Sequence, residues 1–155
     1  MNKPSLTEFT AWAKAHKQLA LTVCKTQAFA QIERERVDAY IKPIFDSYEF
    51  YDDNKQRITD RTQLYLSTDE QLVARYYEEC DRAHREHGYN GEPGTCPALI
   101  AEHLAIQAEN ALLDAACKLI GLPKGDLYVP CLSNSGGLEG RERALKIFLG
   151  ACLNT

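Results

Sequence analysis

The sequence predicts an all-α protein, a helical bundle of four to five helices. Three observations carry that prediction. Apolar residues recur every three or four positions over long stretches, which is the spacing of one buried helix face. Two serines stand three places before glutamates, Ser5 with Glu8 and Ser67 with Glu70, the pattern of a reciprocal helix cap. Glycine and proline interrupt the periodicity only where helices can end, and no alternating strand pattern lies between them.

The first helix is expected to begin near Leu6. Its stripe runs Leu6, Phe9, Ala13, His16, Ala20 and Val23, widened by Trp12 and Leu19, and continues through Phe29, Ile32, Val37, Tyr40 and Ile41. No Gly or Pro intervenes before Pro43. The segment is therefore one long N-terminal helix, or two helices with a soft junction near Thr26, and Pro43 should end or kink it. Ile44, Phe45, Tyr48, Phe50 and Tyr51 then form an aromatic patch, followed by a polar loop from Asp52 to Arg57. Residues 58–66 read equally as helical or extended, and irregular structure is expected there.

A central helical hairpin follows, about 68–88 and 97–120. The Ser67 box opens its first arm, which carries Leu72, Val73, Tyr76, Cys80, Ala83, His84 and His87 on one face, and Gly88 suits the left-handed residue that closes a helix. Thr95 or Cys96 can cap the second arm, with Pro97 in its first turn. That arm is rich in alanine (Ala101, Ala105, Ala108, Ala111, Ala115, Ala116) and stops at Gly121-Leu122-Pro123. Residues 126–133 again read as helical or extended, with Leu127-Tyr128-Val129 as a short extended piece. Asn134-Ser135-Gly136-Gly137 reads as a turn. A last amphipathic helix places Leu138, Leu145, Phe148, Leu149 and Cys152 on one stripe.

At 155 residues the chain is expected to form a single all-α domain, 1–155, with a core of its own. Hydrophobic residues make up 45% and charged residues 26%, which argues against disorder. A net charge of −4, with basic residues scattered among acids, argues against a nucleic-acid partner. No segment approaches the roughly 20 apolar residues that span a bilayer, so no membrane partner is expected. The start MNKPSLTEFT lacks the apolar stretch of a secretory leader, and six cysteines in such a chain read as reduced thiols in the cytoplasm.

Side chains capable of coordination or proton chemistry concentrate between residues 80 and 103. Cys80, His84 and His87 fall at i, i+4 and i+7 on one helix face. Cys96 and His103 follow after a Gly/Pro loop. In an antiparallel hairpin Cys80 approaches His103, and His87 approaches Cys96. These five residues are the candidate metal ligands, zinc being the possible cofactor in a tetrahedral structural site, although a paired C-x2-C is absent. Iron held by carboxylates is weaker, since Asp81-x-x-His84 is a single acid–histidine pair where di-iron bundles need two. The same groups allow thiol–imidazole pairs, Cys80 with His84 or Cys96 with His87, and a cysteine at a helix N-terminus has a lowered pKa. Packing offers a plainer account of several of them. Cys80 continues the Leu72–Tyr76 stripe, His103 sits among Ile100 and Leu104, and Cys96 can serve simply to start its helix.

Tyr65-Leu66-Ser67, Gly88-Tyr89, Glu92-Pro93 and Pro97-Ala98-Leu99-Ile100-Ala101 are similar to stretches of the helical chaperones of redox-enzyme maturation. Ala98 and Leu99 stand where that family has an Asp-His pair, so membership is not inferred. The functional expectation is a cytoplasmic binding or accessory protein acting through a protein partner or as a homo-oligomer. Its support is the supply of aromatics that an interface enriches: Trp12, Tyr40, Tyr48, Tyr51, Tyr65, Tyr77 and Tyr89. The alternative is a metal-binding protein or thiol/His enzyme with its site on the 80–103 hairpin.

Overall fold

A computed structural model describes residues 3–89, 92, 94–121 and 138–155, and over these the chain is all-α. The helices are α1 (Leu6–Ala15), α2 (Lys17–Asp46), a 3-10 helix (Arg61–Leu66), α3 (Glu70–Glu86), α4 (Pro97–Ile120) and α5 (Leu138–Leu153). Among the described residues no helix is long and apolar enough to cross a membrane. The expected pieces at 126–133 and 134–137 lie outside the described residues.

The chain forms two compact units, Met1–Ala30 with Ala101–Thr155 (unit 1) and Gln31–Ile100 (unit 2). In unit 1, α1 opens with the expected reciprocal cap: Glu8 N–H donates to Ser5 Oγ at 3.2 Å, and Ser5 N–H donates to Glu8 Oε2 at 2.7 Å. The long N-terminal segment is broken at His16, not near Thr26. At the break the Trp12 carbonyl accepts the His16 N–H at 3.0 Å, and the His16 ring Nδ1 lies 2.8 Å from the same oxygen. Thr26 lies inside α2, and its hydroxyl donates to the Thr22 carbonyl at 2.8 Å. Trp12, Ala13, Val23, Leu112, Leu113, Ala116, Phe148 and Cys152 are among the residues that build the unit 1 core. Ala30, Ala101 and Ala105 form a small buried cluster in which the absence of bulk lets α2 and α4 approach closely. Glu109 of α4 accepts from Gln27 of α2 at 2.9 Å and from Arg141 of α5 at 2.6 Å, and Arg141 also donates to Asn110. That shared carboxylate satisfies three helices at once.

In unit 2, α2 passes through Pro43 and ends one turn later at Asp46, so the proline does not stop it. Proline forfeits its own N–H, but its carbonyl still accepts, here from Ser47 N–H at 3.1 Å. Asp52 then organises a tight turn, its carboxylate accepting from the N–H groups of Asn54 and Gln56 at 2.9 Å each. Lys55 takes a left-handed φ of 59° at its tip. The turn returns the chain so that Ile58 N–H bonds the Phe50 carbonyl, and Phe50 and Ile58 enter the core together. Residues 61–66 are the 3-10 helix, capped by Asp60, whose carboxylate accepts from Thr62 N–H at 3.0 Å. Phe45, Tyr48, Phe50 and Tyr76 stack and cross at centroid distances of 5.6–6.0 Å, with Ile41, Leu64 and Cys80 completing the core.

The second serine box differs from expectation. Asp69, two residues beyond Ser67, is the N-cap of α3 and accepts from Leu72 N–H at 3.0 Å, while Ser67 Oγ receives only Asp69 N–H. A carboxylate at that position also favours the positive end of the helix dipole. Asp69→Ala is therefore expected to lower unfolding free energy by about 1 kcal/mol, and Ser67→Ala by well under half of that. Urea melts of the two variants check this, and equal losses would return the cap to Ser67.

Candidate functional site

The C-terminal turn of α3 shapes the candidate site in unit 2. Gly88, with φ 93°, lets the chain reverse. Tyr89 N–H then donates to the His84 carbonyl at 2.8 Å and Gly88 N–H to the Arg85 carbonyl at 3.1 Å, the paired bonds of a Schellman ending. This reversal lays Tyr89 back against the helix, its ring 5.5 Å from that of His84. Further on, the Thr95 hydroxyl donates to the Glu92 carbonyl at 2.6 Å, and the Cys96 carbonyl accepts from Ile100 N–H to open α4 behind Pro97. Of the two expected caps, Thr95 is thus turned into its loop and Cys96 stands at the helix start.

Between these two endings lies a pocket of about 460 Å³, lined by Asp81, His84, Arg85, Tyr89, Glu92, Gly94, Thr95, Cys96 and Leu99. His84 is held from behind by Tyr40 of α2, with 2.9 Å between the Tyr40 hydroxyl and His84 Nδ1. The Tyr40 ring also stacks on His87 at 4.0 Å with a 9° interplanar angle. Burial, followed by the neighbouring Tyr89 and Cys96, pushes the Tyr40 hydroxyl far above the usual phenol range, so it keeps its proton. Burial lowers the His84 pKa, His87 lowers it further, and Asp81 opposes both. His84 is accordingly neutral at pH 7. In the tautomer that accepts the phenolic proton at Nδ1, its own proton sits on Nε2.

Tyr89 is 5% exposed, and its hydroxyl has no hydrogen-bond partner among the described residues. It lies near enough to Tyr40 to help hold that phenol protonated, yet without the geometry of a hydrogen bond. A buried, unmet hydroxyl is costly unless something else meets it.

The five residues expected to converge do so only in part. His84 and Cys96 share the pocket. The histidine that shares a pocket with Cys96 is His84, where the hairpin reading expected His87, whose ring stacks on Tyr40. Cys80 is buried in the aromatic core, and burial pushes its thiol up, which keeps it protonated. His103 is exposed on α4 and pairs with Gln107 at 3.0 Å. Among the described residues no three His, Cys, Asp or Glu side chains are grouped to hold a metal ion. Of the aromatics expected to be available to an interface, Tyr51, Tyr65 and Tyr77 are exposed, whereas Trp12 and Tyr89 are buried.

Sequence reasoning missed Tyr40 and Tyr89 as site residues. Tyr40 comes from a helix 44 residues away and carries no local signal. Tyr89 had one: the residue after a Schellman glycine regularly packs back on the helix it leaves. In comparison with known proteins, the chain matches no protein family, no curated protein and no solved structure.

The lowered His84 pKa has a defined consequence for stability. The unfolded chain, with its histidine near the ordinary 6.5, binds a proton before the folded chain does. Stability is therefore greatest above that value and falls as pH drops below it, down to the folded pKa. Between about pH 7 and about pH 5 the melting temperature of the wild type should fall, and His84→Asn should lose part of that fall. Identical pH profiles for the two proteins would remove His84 as the cause.

Proposed function

We propose that this chain is a binding or accessory protein, and that the pocket of unit 2 takes a small polar ligand. The observation that carries the reading is the buried, unpartnered hydroxyl of Tyr89, a residue that lines a pocket of about 460 Å³. Unmet polar groups are tolerated where a ligand meets them. His84 adds a neutral imidazole of set orientation, Cys96 a thiol, and Arg85 and Asp81 opposite charges. A ligand with both donor and acceptor groups suits that wall. A cytoplasmic location belongs to the same proposal, and the free state of Cys24, Cys80, Cys96, Cys117 and Cys152 supports it.

Association with a protein partner or a second copy is the second reading. It is favoured by apolar side chains that unit 2 leaves in solvent, Tyr65 at 80% and Leu99 at 63% exposure, the latter on the pocket itself. A thiol/His enzyme at the same place would use Cys96 as nucleophile and His84 as its base.

Two measurements test the pocket. Tyr89→Phe removes an unmet polar group without changing shape, so the ligand-free protein should gain about 1 kcal/mol and melt a few degrees higher. A lower melting temperature would mean that the hydroxyl is already satisfied, and the reading would fail. Iodoacetamide with mass-spectrometric mapping should label Cys96 well before Cys80, Cys117 and Cys152, which are buried. A labelling rate for Cys96 above that of a free thiol would favour the enzyme, and a rate equal to that of the core cysteines would close the pocket to ligands.

A further inference from the structure

Unit 1 holds a second pocket, of about 520 Å³, where the end of α1 meets one face of α4. Trp12 and His16 form one side of it, and Asp114, Ala115, Lys118 and Leu119 the other. We infer that it is a binding site for a free amino acid with an apolar side chain.

The starting point is the Trp12 indole. It is 9% exposed, and its Nε1–H has no hydrogen-bond partner among the described residues. The ring cannot swing to find one, because His16 stacks on it at 5.0 Å, Phe148 meets its edge at 5.4 Å and Phe9 lies at 5.9 Å. An indole N–H only donates, so what satisfies it must bring an acceptor. Lys118, on the other side of the same pocket, supplies a cation, and together the two select a carboxylate oxygen.

Asp114 stands one helical turn before Lys118 and lines the pocket as well, with an interaction of its own inside the protein. Lysine and aspartate cancel in net charge, so a bare anion gains from one what it loses to the other. A ligand bearing both signs gains from both, its carboxylate toward Trp12 and Lys118 and its ammonium toward Asp114. His16 adds to the second half. Its Nδ1 lies 2.8 Å from the Trp12 carbonyl, a contact that needs the proton on Nδ1, so the neutral ring presents Nε2 as an acceptor. Ala115 and Leu119 leave an apolar floor with room for an aliphatic side chain. Carboxylate, ammonium and apolar side chain on one small frame describe a free amino acid of leucine type.

Trp12 is the single tryptophan of the chain, so its emission reports on this pocket. The test is a fluorescence titration of the full chain with L-leucine, alongside N-acetyl-L-leucine, which lacks the ammonium, L-leucinamide, which lacks the carboxylate, and inorganic phosphate. L-leucine should change the emission saturably with a Kd below about 1 mM, and each control should bind at least about tenfold more weakly. Lys118→Met, at an exposed position and with helicity verified by circular dichroism, should weaken L-leucine by about tenfold. In calorimetry Trp12→Phe, likewise verified as folded, should show the same direction of loss. No saturable change with L-leucine, equal binding of a control, or an unchanged Kd in folded Lys118→Met would overturn the inference. Alkylation of Cys96 should leave the titration unchanged, which separates this site from the pocket of unit 2.

Discussion

The hydrogen bond between Tyr40 and His84 is the interaction on which the candidate site rests. It ties α2 to the last turn of α3 and fixes the face that the imidazole turns to the pocket. The same phenol ring supports His87 by stacking, so one side chain of α2 orders two histidines of α3. The half-buried Tyr40 hydroxyl, its pKa raised above the usual phenol range, keeps its proton at neutral pH, and the bond persists wherever the protein is folded and His84 is neutral. An imidazole held in this way keeps a defined ring orientation without the aid of a metal or a carboxylate.

Buried polar groups are treated in two ways. Glu109 is fully engaged by Gln27 and Arg141, and a partly buried charge pair of that kind persists because both partners are met. Tyr89 and Trp12 are the reverse case, strong hydrogen-bonding groups buried with nothing from the described chain to meet them. Both line pockets. Native proteins leave few such groups, and they leave them where something other than the chain completes the bond.

Much of the fold was legible because helix formation answers to local rules. The 3.6-residue stripe located the helical segments of α1 and α2 together, α3, α4 and α5, though not the 3-10 helix at Arg61–Leu66; the bounds of α4 agree at Pro97 and Ile120, and Gly88 takes the left-handed conformation expected of a helix end. The misreadings arose where two local options compete at close energies. His16 and Thr26 both carry side chains that approach a carbonyl one turn earlier, yet the helix breaks at His16 and runs on through Thr26. Ser67 and Asp69 both suit a cap, and the carboxylate took it. Pro43 weakened one bond of its helix without ending it.

The sequence by itself determined the fold class, the bounds of α4, the close of α3 at Gly88 and the concentration of Cys and His chemistry between residues 80 and 103. Periodicity, capping and backbone sterics act over four or five residues, so these features are written in neighbouring letters. Tertiary structure decided which of those residues meet. It put His84 and Cys96 in the lining of one pocket, sent Cys80 into an aromatic core, left His103 on the surface, and brought Tyr40 across 44 positions to hold the site. Those outcomes depend on how distant helix faces pack and on which polar groups burial leaves unmet, and neither is encoded in local spacing.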